Sequence, residues 1–415
     1  MAAGDGKESV IADHGSRHAV GFSLSRGGPT FRILRALHLS PDHGPGATRA
    51  AFLLAALSWL PLVILALMQG LATPGGVLIP LLWDPLVYAR FLVATPLYVA
   101  LCPVIDRVLG DAFHGLVASG IVPPGLRKDF DSALLEFERG REAWLPELLL
   151  LAGVFAAVWL GRDYGVHGHP DTWVFLEGPH RLSWAGYWLG FVSLPLAAFL
   201  ALRWMWRIAL WGRMLWRISR LDLALVPSHP DGVGGLGGLA EANAVMNLLI
   251  IPFAAILAAN AAHRVVLYGE TLLSMKLVLA AFLLAAAVVF HGPLLVFAPM
   301  LTRTRLLGLL AYNSIAGGYS RSFDRKWMGA DASAAALAPR LEPATDEALL
   351  GSADIQSLAD MGNAYRQVLQ MRPVLLGPTQ LVMLAVCAVA PMIPFLATVV
   401  PLKRILEQLF QMLTR

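Results

Sequence analysis

Charge is scarce in this chain. Only 14% of its 415 residues are Asp, Glu, Lys or Arg, while 57% are hydrophobic. A soluble domain carries about 25% charged residues, so an ordinary soluble protein of two or three domains is excluded. Cysteine is nearly missing too. The two present, Cys102 and Cys387, lie in apolar runs and read as small core residues, not as a disulfide or a metal site. The net charge of +4 is modest, and nucleic acid is not an expected partner. The first fifty residues lack a compact apolar region with a cleavage site, so no cleavable signal peptide is expected. Signatures of chemistry are missing as well: no Gly-x-Ser-x-Gly elbow, no His-Glu-x-x-His pair and no EF-hand loop. Asp354 and Asp360 are six residues apart on one expected helix, which turns them to different faces and makes a poor carboxylate pair. No catalytic residue and no cofactor follow from these residues.

Long apolar runs are what the chain does have. Several reach the roughly 20 residues that cross a bilayer core. The fold class is therefore all-α: a polytopic transmembrane helix bundle with a small cytoplasmic helical layer. Seven spans are expected, near Ala51–Gln69, Leu86–Ile105, Trp144–Leu160, Trp184–Leu202, Val245–Leu267, Leu277–Leu301 and Thr379–Val400. Nearly every one carries proline: Pro61, Pro96, Pro103, Pro195, Pro252, Pro293, Pro299, Pro391 and Pro394. Each interior proline removes a backbone hydrogen bond and crowds the preceding turn. Broken helices of this kind line cavities in transporters, although proline is also simply tolerated in membrane helices. Trp83, Trp144, Trp159, Trp184 and Trp188 fall near span ends, as an interfacial belt would place them.

Most of the 32 Lys and Arg residues fall in segments on the same side as the N-terminus. The positive-inside rule makes that side cytoplasmic. The C-terminus is then expected in the periplasm, with a re-entrant last segment as the alternative because Lys403 and Arg404 follow it directly. The organisation reads as residues 1–48, disordered or interfacial; 49–302, a bundle with cytoplasmic amphipathic helices; 303–378, a cytoplasmic segment; and 379–415, the last span and tail. Met1 to Pro29 reads as disordered, and Phe31, Leu34 and Leu37 as one face of a short surface helix.

Three polar features stand out on the cytoplasmic side. Arg203, Arg207, Arg213, Arg217 and Arg220 fall within an arc of about 140° if span four continues as a helix. Such a stripe suits anionic lipid headgroups, or ordinary positive-inside topology. Next comes Pro227-Ser-His-Pro-Asp-Gly-Val-Gly-Gly-Leu-Gly-Gly-Leu239. His229, Asp231, Gly232, Gly234 and Gly235 are its candidate functional residues. A glycine turn entering a helix can cradle an anion, but no Lys-Ser or Lys-Thr follows as in a P-loop; a tight backbone crossing is the other reading. Last, a helix from Ala353 to Met371 with apolar Ile355, Leu358, Met361, Tyr365 and Leu369 carries Asp354, Gln356, Asp360 and Asn363. An inner helix near Asp129–Trp144 shows Phe130, Leu134 and Phe137 on one face.

His229-Pro-Asp-x-x-Gly-Gly-Leu236, Phe323-Asp-Arg-Lys-Trp327 and Leu349-Leu-Gly-Ser-Ala-Asp-Ile-Gln-Ser-Leu-Ala-Asp-Met-Gly-Asn363 resemble a family of uncharacterised bacterial multi-pass membrane proteins. The resemblance implies a bacterial inner membrane and no particular activity. It also suggests that these pieces meet, with His229 and Asp231 against the helix of Asp354, Gln356, Asp360 and Asn363. The alternative is that each caps its own turn.

Inside the bundle, His291 beside Gly292-Pro293 is an ionisable group at costly depth, or else a neutral histidine bonded to a backbone carbonyl. Asn243, Asn247, Asn260 and His263 add polarity to span five. On the outer side, His167, His169 and His180 in a Gly- and Pro-rich loop could hold a transition metal such as zinc, or belong to turns alone. Ala285–Ala287 permit close helix approach, in a homo-oligomer or within one chain. Three functions fit: a channel or transporter, first; a membrane-embedded sensor or assembly partner, second; a membrane enzyme on a lipid-like substrate, third.

Overall fold

A computed structural model describes residues 22–39, 44–75, 77–161, 172–176, 181–268, 275–327 and 353–393. Among them the chain is an all-α bundle whose only β pairings are two isolated bridges, Ile79 with Thr172 and Phe175 with Leu182. The helices are α1 (Pro29–Ala36), α2 (Gly44–Met68), α3 (Pro85–Ala118), α4 (Arg127–Glu142), α5 (Trp144–Gly161), α6 (Trp184–Ile218), α7 (Gly237–Val265), α8 (Lys276–Trp327), α9 (Ala353–Gln370) and α10 (Pro378–Val389).

Among the described residues five helices are long and apolar enough to cross a membrane: α2, α3, α6, α7 and α8. A sixth is reached if α4 and α5, bent by 42° at Ala143, are taken with their preceding turn as one span. The seventh expected span is described only as the 12-residue α10 and a short turn to residue 393. Residues 394–415, and with them the route of the C-terminus, lie outside the described residues.

The proline breaks are where the sequence puts them. π-helical turns at Tyr88–Ala94 and Leu189–Ser193 stand just before Pro96 and Pro195. Tighter 3-10 turns at Val245–Leu249 and Gly292–Phe297 precede Pro252 and contain Pro293. Widening or tightening a turn moves the carbonyl that the proline ring would strike. The Thr95 hydroxyl donates to the Arg90 carbonyl of the widened turn at 2.8 Å.

Four helices outrun a bilayer, and one of them runs through an expected domain border. α8 is 52 residues long, and its last 30 residues, Ala298–Trp327, form one unbroken helix through the expected border at 302/303. No proline follows Pro299 until Pro339, so nothing local stops it. The overshooting ends of α3, α6 and α7, together with α4 and the Gly-rich turn, build one layer on the Arg-rich side. Phe113, Phe130, Phe137, Trp211, Leu215, Val233 and Leu239 share its core. The expected inner face of α4 is correct, since Phe130, Leu134 and Phe137 are all buried. On α9 the expected face is off by part of a turn. Val368 is fully buried, while Ile355 and Leu369 are 41% and 45% exposed, because α8 packs along one narrow edge of it.

Candidate functional site

The most polar part of the interior holds a piece of the chain's own N-terminal region. Residues 22–28, expected to be disordered, run between the helices, with Phe22, Ser23, Leu24 and Ser25 buried. Asp106 of α3 gathers them. Its Oδ1 accepts the N–H groups of Leu24 and Ser25 at 2.7 and 2.8 Å, and its Oδ2 accepts the hydroxyls of Ser23 and Ser25 at 2.7 and 2.5 Å. Glu147 of α5 does the same for Thr30, whose N–H and hydroxyl donate at 3.0 and 2.6 Å. Arginines satisfy the carbonyls. Arg207 donates to Leu24 and Gly27 at 2.5 and 2.8 Å, Arg203 to Gly27 at 3.2 Å, and Arg141 to Ser23. Arg203 also pairs with Glu147 at 2.9 Å.

Two glycines make this approach possible. Gly27 and Gly28 have φ of 111° and 88°, a region side chains avoid. A Cβ on Gly27 would stand 2.9 Å from Arg141 Nε, and one on Gly28 2.7 Å from Glu147 Oε1. Phe22 then plugs an aromatic box, with ring centroids 4.6 Å from Phe113, 5.3 Å from Phe137 and 6.1 Å from Trp211.

This arrangement corrects the lipid-headgroup assignment for two of the five arginines. Arg207 is 1% exposed and Arg203 8%, so both face protein. A stripe of about 140° is wide enough to begin in the core and end at the surface. Arg213 and Arg217 do reach the surface, where both pair with Glu136 of α4. Arg220 lies 5.2 Å over the ring of Trp216.

The Gly-rich turn is a crossing that fills its own anion cradle. Asp231 accepts the N–H groups of Val233, Gly235 and Gly237 at 2.8, 3.0 and 2.8 Å, and His229 Nδ1 lies 2.9 Å from it. Burial pushes the Asp231 carboxyl up. The N–H groups of Val233, Gly237 and Gly235, with His229, outweigh that and hold it below the usual carboxylate range. Gly232, Gly234 and Gly235 all have positive φ. A Cβ on Gly235 would meet Ile121 at 2.3 Å.

His229 and Asp231, expected against the helix of Asp354, Gln356, Asp360 and Asn363, do not meet those four residues; the contact lies past the helix end, where Arg372 Nη2 donates to the Asp231 carbonyl at 3.4 Å. The turn instead meets the far end of α9: Arg372 N–H donates to the Gly232 carbonyl at 2.8 Å. Asp354 stands about 25 Å away along the helix. There it accepts from Lys326 at 2.5 Å and Trp327 Nε1 at 3.1 Å, which hold its carboxyl below the usual range. Gln356 bonds Asp360 at 3.0 Å, and Asn363 accepts from Arg366 at 3.3 Å, all within α9. So among the described residues only two of the three sequence segments meet, Phe323–Trp327 with the one bearing Asp354, while the turn meets Met371 and Arg372, beyond both. At the root of the α8–α9 arm a Cβ on Gly308 would strike Pro227 at 2.5 Å and Val368 at 3.2 Å.

His291 is 2% exposed, and neither ring nitrogen has a hydrogen-bond partner among the described residues. The backbone-carbonyl bond expected for it is therefore not made there. Asn243 uses the neighbouring carbonyl, donating to Phe290 at 2.9 Å and accepting from Trp211 at 3.1 Å. Asn247 Oδ1 is likewise unpartnered among the described residues. At the opposite end of the bundle, Asp84 accepts from Trp173 Nε1 and the Leu86 N–H, both at 2.9 Å, with His263 Nδ1 at 3.5 Å. His263 also lines a cavity of about 280 Å³ with Trp83, Leu78 and Ile79. The other lining residues are apolar too, so among the described residues the pair has no nucleophile beside it and acts as a clasp on the segment that carries Trp173. Among the described residues no group of three or more His, Cys, Asp or Glu could hold a metal ion. His167, His169 and His180 lie outside them.

No family model, no curated protein and no solved structure matches the chain.

Sequence reasoning missed Asp106, Glu147, Arg141 and Asp84. A signal was present for the first three. Ser23-Leu-Ser-Arg-Gly-Gly-Pro-Thr30 combines hydroxyls, a glycine pair and a helix-starting proline, and carboxylates within apolar helices need partners.

Proposed function

We propose that this integral membrane protein is a membrane-embedded sensor or assembly partner whose N-terminal segment is a displaceable latch. One observation carries the reading. The polar interior at the Arg-rich end, where a solute route would have to open, is filled by residues 22–30 and tied to them by hydrogen bonds from its carboxylates and arginines. Two further features support it. His291 sits with buried Phe290, Leu294 and Phe297, and the α8–α9 arm exposes Leu306, Leu307, Leu310 and Ile315 to a partner. The Arg-rich side is taken as cytoplasmic. The motif resemblance supports a bacterial inner membrane.

Reconstitution into liposomes with an ion-flux readout tests this. Wild-type protein is expected to pass no more ions than protein-free vesicles, and His291→Ala and Asp231→Asn to change nothing. Flux by the wild type that His291→Ala abolishes would put the transport reading first. That second reading is favoured by the unpartnered nitrogens of His291 and by Asn247 Oδ1.

A further inference from the structure

The second polar feature of the layer faces outward. α4 and α6 pack antiparallel and touch where Gly140 meets Leu210, a Cβ on the glycine standing 2.9 Å from Leu210 Cδ2. Beside this contact the helices part into a groove of about 290 Å³. Its floor is apolar, with Phe137, Leu210 and Met214, and its rim carries Arg139, Arg213, Arg217 and Glu136. Arg213 and Arg217 bind the two oxygens of the same carboxylate, Glu136. Two guanidiniums thus share one carboxylate, with Arg139 on the same rim, and the rim keeps an excess of positive charge beside an apolar trough.

The depth of the groove narrows its ligand. Trp144, 64% exposed, starts α5. Glu136 and Gly140 precede it by about 12 and 6 Å of helix rise. Trp216, 50% exposed, flanks the other end. Exposed tryptophans mark the membrane–water interface, and headgroups occupy about 5–8 Å on each side of the hydrocarbon core. A side chain as long as arginine spans the rest.

From this we infer that the α4–α6 groove is a binding site for a phosphate group, presented at headgroup level by an anionic lipid whose proximal acyl chain lies on Phe137, Leu210 and Met214. Arg213 and Arg217 are one helical turn apart and so present two forks to one phosphate, the geometry that favours arginine over lysine. Glu136 acts as the internal competitor: it holds the forks in place and is displaced in part when the phosphate arrives. The inference does not depend on the latch reading: of the residues that hold residues 22–30 it shares only Phe137, which also meets Phe22, and its charged groups are separate.

The test uses full-length protein in a neutral detergent, with native mass spectrometry counting bound phosphatidylglycerol or phosphatidylcholine, and with inorganic phosphate as competitor. Wild type is expected to retain phosphatidylglycerol over phosphatidylcholine. The pair Arg213→Gln and Arg217→Gln should weaken retention about tenfold, and Glu136→Gln should strengthen it severalfold. Arg366→Gln, exposed on α9 and away from the groove, should leave it unchanged. If millimolar inorganic phosphate displaces the lipid with the same arginine dependence, a soluble phosphate is the source; if it does not, the lipid is. Equal retention of both lipids, or Glu136→Gln failing to raise retention of phosphatidylglycerol, overturns the inference. The Glu136 arm asks for a gain of binding, which misfolding cannot imitate.

Discussion

Glu147 accepts from Arg203 Nε at 2.9 Å, with 6% and 10% of the two side chains exposed, and the same carboxylate takes both donors of Thr30. One buried ion pair between α5 and α6 therefore also carries the N-terminal segment. A buried pair contributes to stability only when its remaining hydrogen-bonding capacity is filled, and here Thr30 and Gly27 fill it. Loosening the segment and loosening the helix pair become one event.

Asp106 should be the most sensitive position in the latch. Asp106→Asn keeps the shape but replaces one acceptor oxygen by a donor that faces the hydroxyls of Ser23 and Ser25. A loss of about 2–3 kcal/mol is expected, read as a lower midpoint of thermal unfolding. Trypsin should also reach Arg26 faster. Unchanged unfolding and unchanged cleavage would mean that the segment is not held by this carboxylate.

Gly27→Ala should cost about 1–3 kcal/mol from the positive φ alone, with the Arg141 contact added to it. Gly153→Ala is the matched control. It lies in α5, where a Cβ meets nothing within 4 Å, and alanine favours a helix. Equal effects at the two sites would remove the argument for close approach.

The Gly-rich turn should loosen in acid. Asp231 has a carboxyl held below its ordinary value, so its contribution is complete above the unfolded-state pKa of about 3.9. It is lost as pH falls from there through the lower folded-state value. Amide exchange at Val233, Gly235 and Gly237 should rise in that window, and Asp231→Asn should flatten the acid dependence. A turn that opens equally in the variant at every pH would assign the effect elsewhere.

His291→Leu should leave the unfolding midpoint unchanged or raise it. A buried imidazole without partners keeps its desolvation penalty, and an apolar side chain of similar size removes it, a gain of about 1–3 kcal/mol. Marked destabilisation would show that the ring is bonded in the membrane and that the transport reading deserves the next experiment.

Sidedness can be read with single introduced cysteines, because Cys102 and Cys387 are both buried. Ser357→Cys on the exposed face of α9 should resist a membrane-impermeant thiol reagent in intact cells and react after lysis. Labelling from outside would invert the proposed orientation.

Much of the fold was legible along the chain. Apolar length and proline position are local quantities, and a helix that must satisfy its own backbone in lipid has few alternatives. Hence α2, α3, α5, α6, α7 and α8 begin near where the runs begin, and the broken turns stand at Pro96, Pro195, Pro252 and Pro293. The Asp231 turn was legible for the same reason, since its donors lie within six residues. The continuation of α6 past Arg203 was legible from its arginine stripe; how far α8 continues was not, because polar residues such as Arg305 suit both a helix in water and a loop.

The sequence by itself determined that the chain is a bundle of apolar helices with one Arg-rich end, because hydropathy and charge act residue by residue. Only the tertiary structure decided which arginines face inward and what they hold. Leu24 and Asp106 are 82 residues apart, and a donor and an acceptor at that separation leave no periodic trace. They meet because α3, α4, α5 and α6 pack around a shared polar core that water does not reach, where each buried carboxylate and guanidinium needs a partner and the N-terminal segment supplies it.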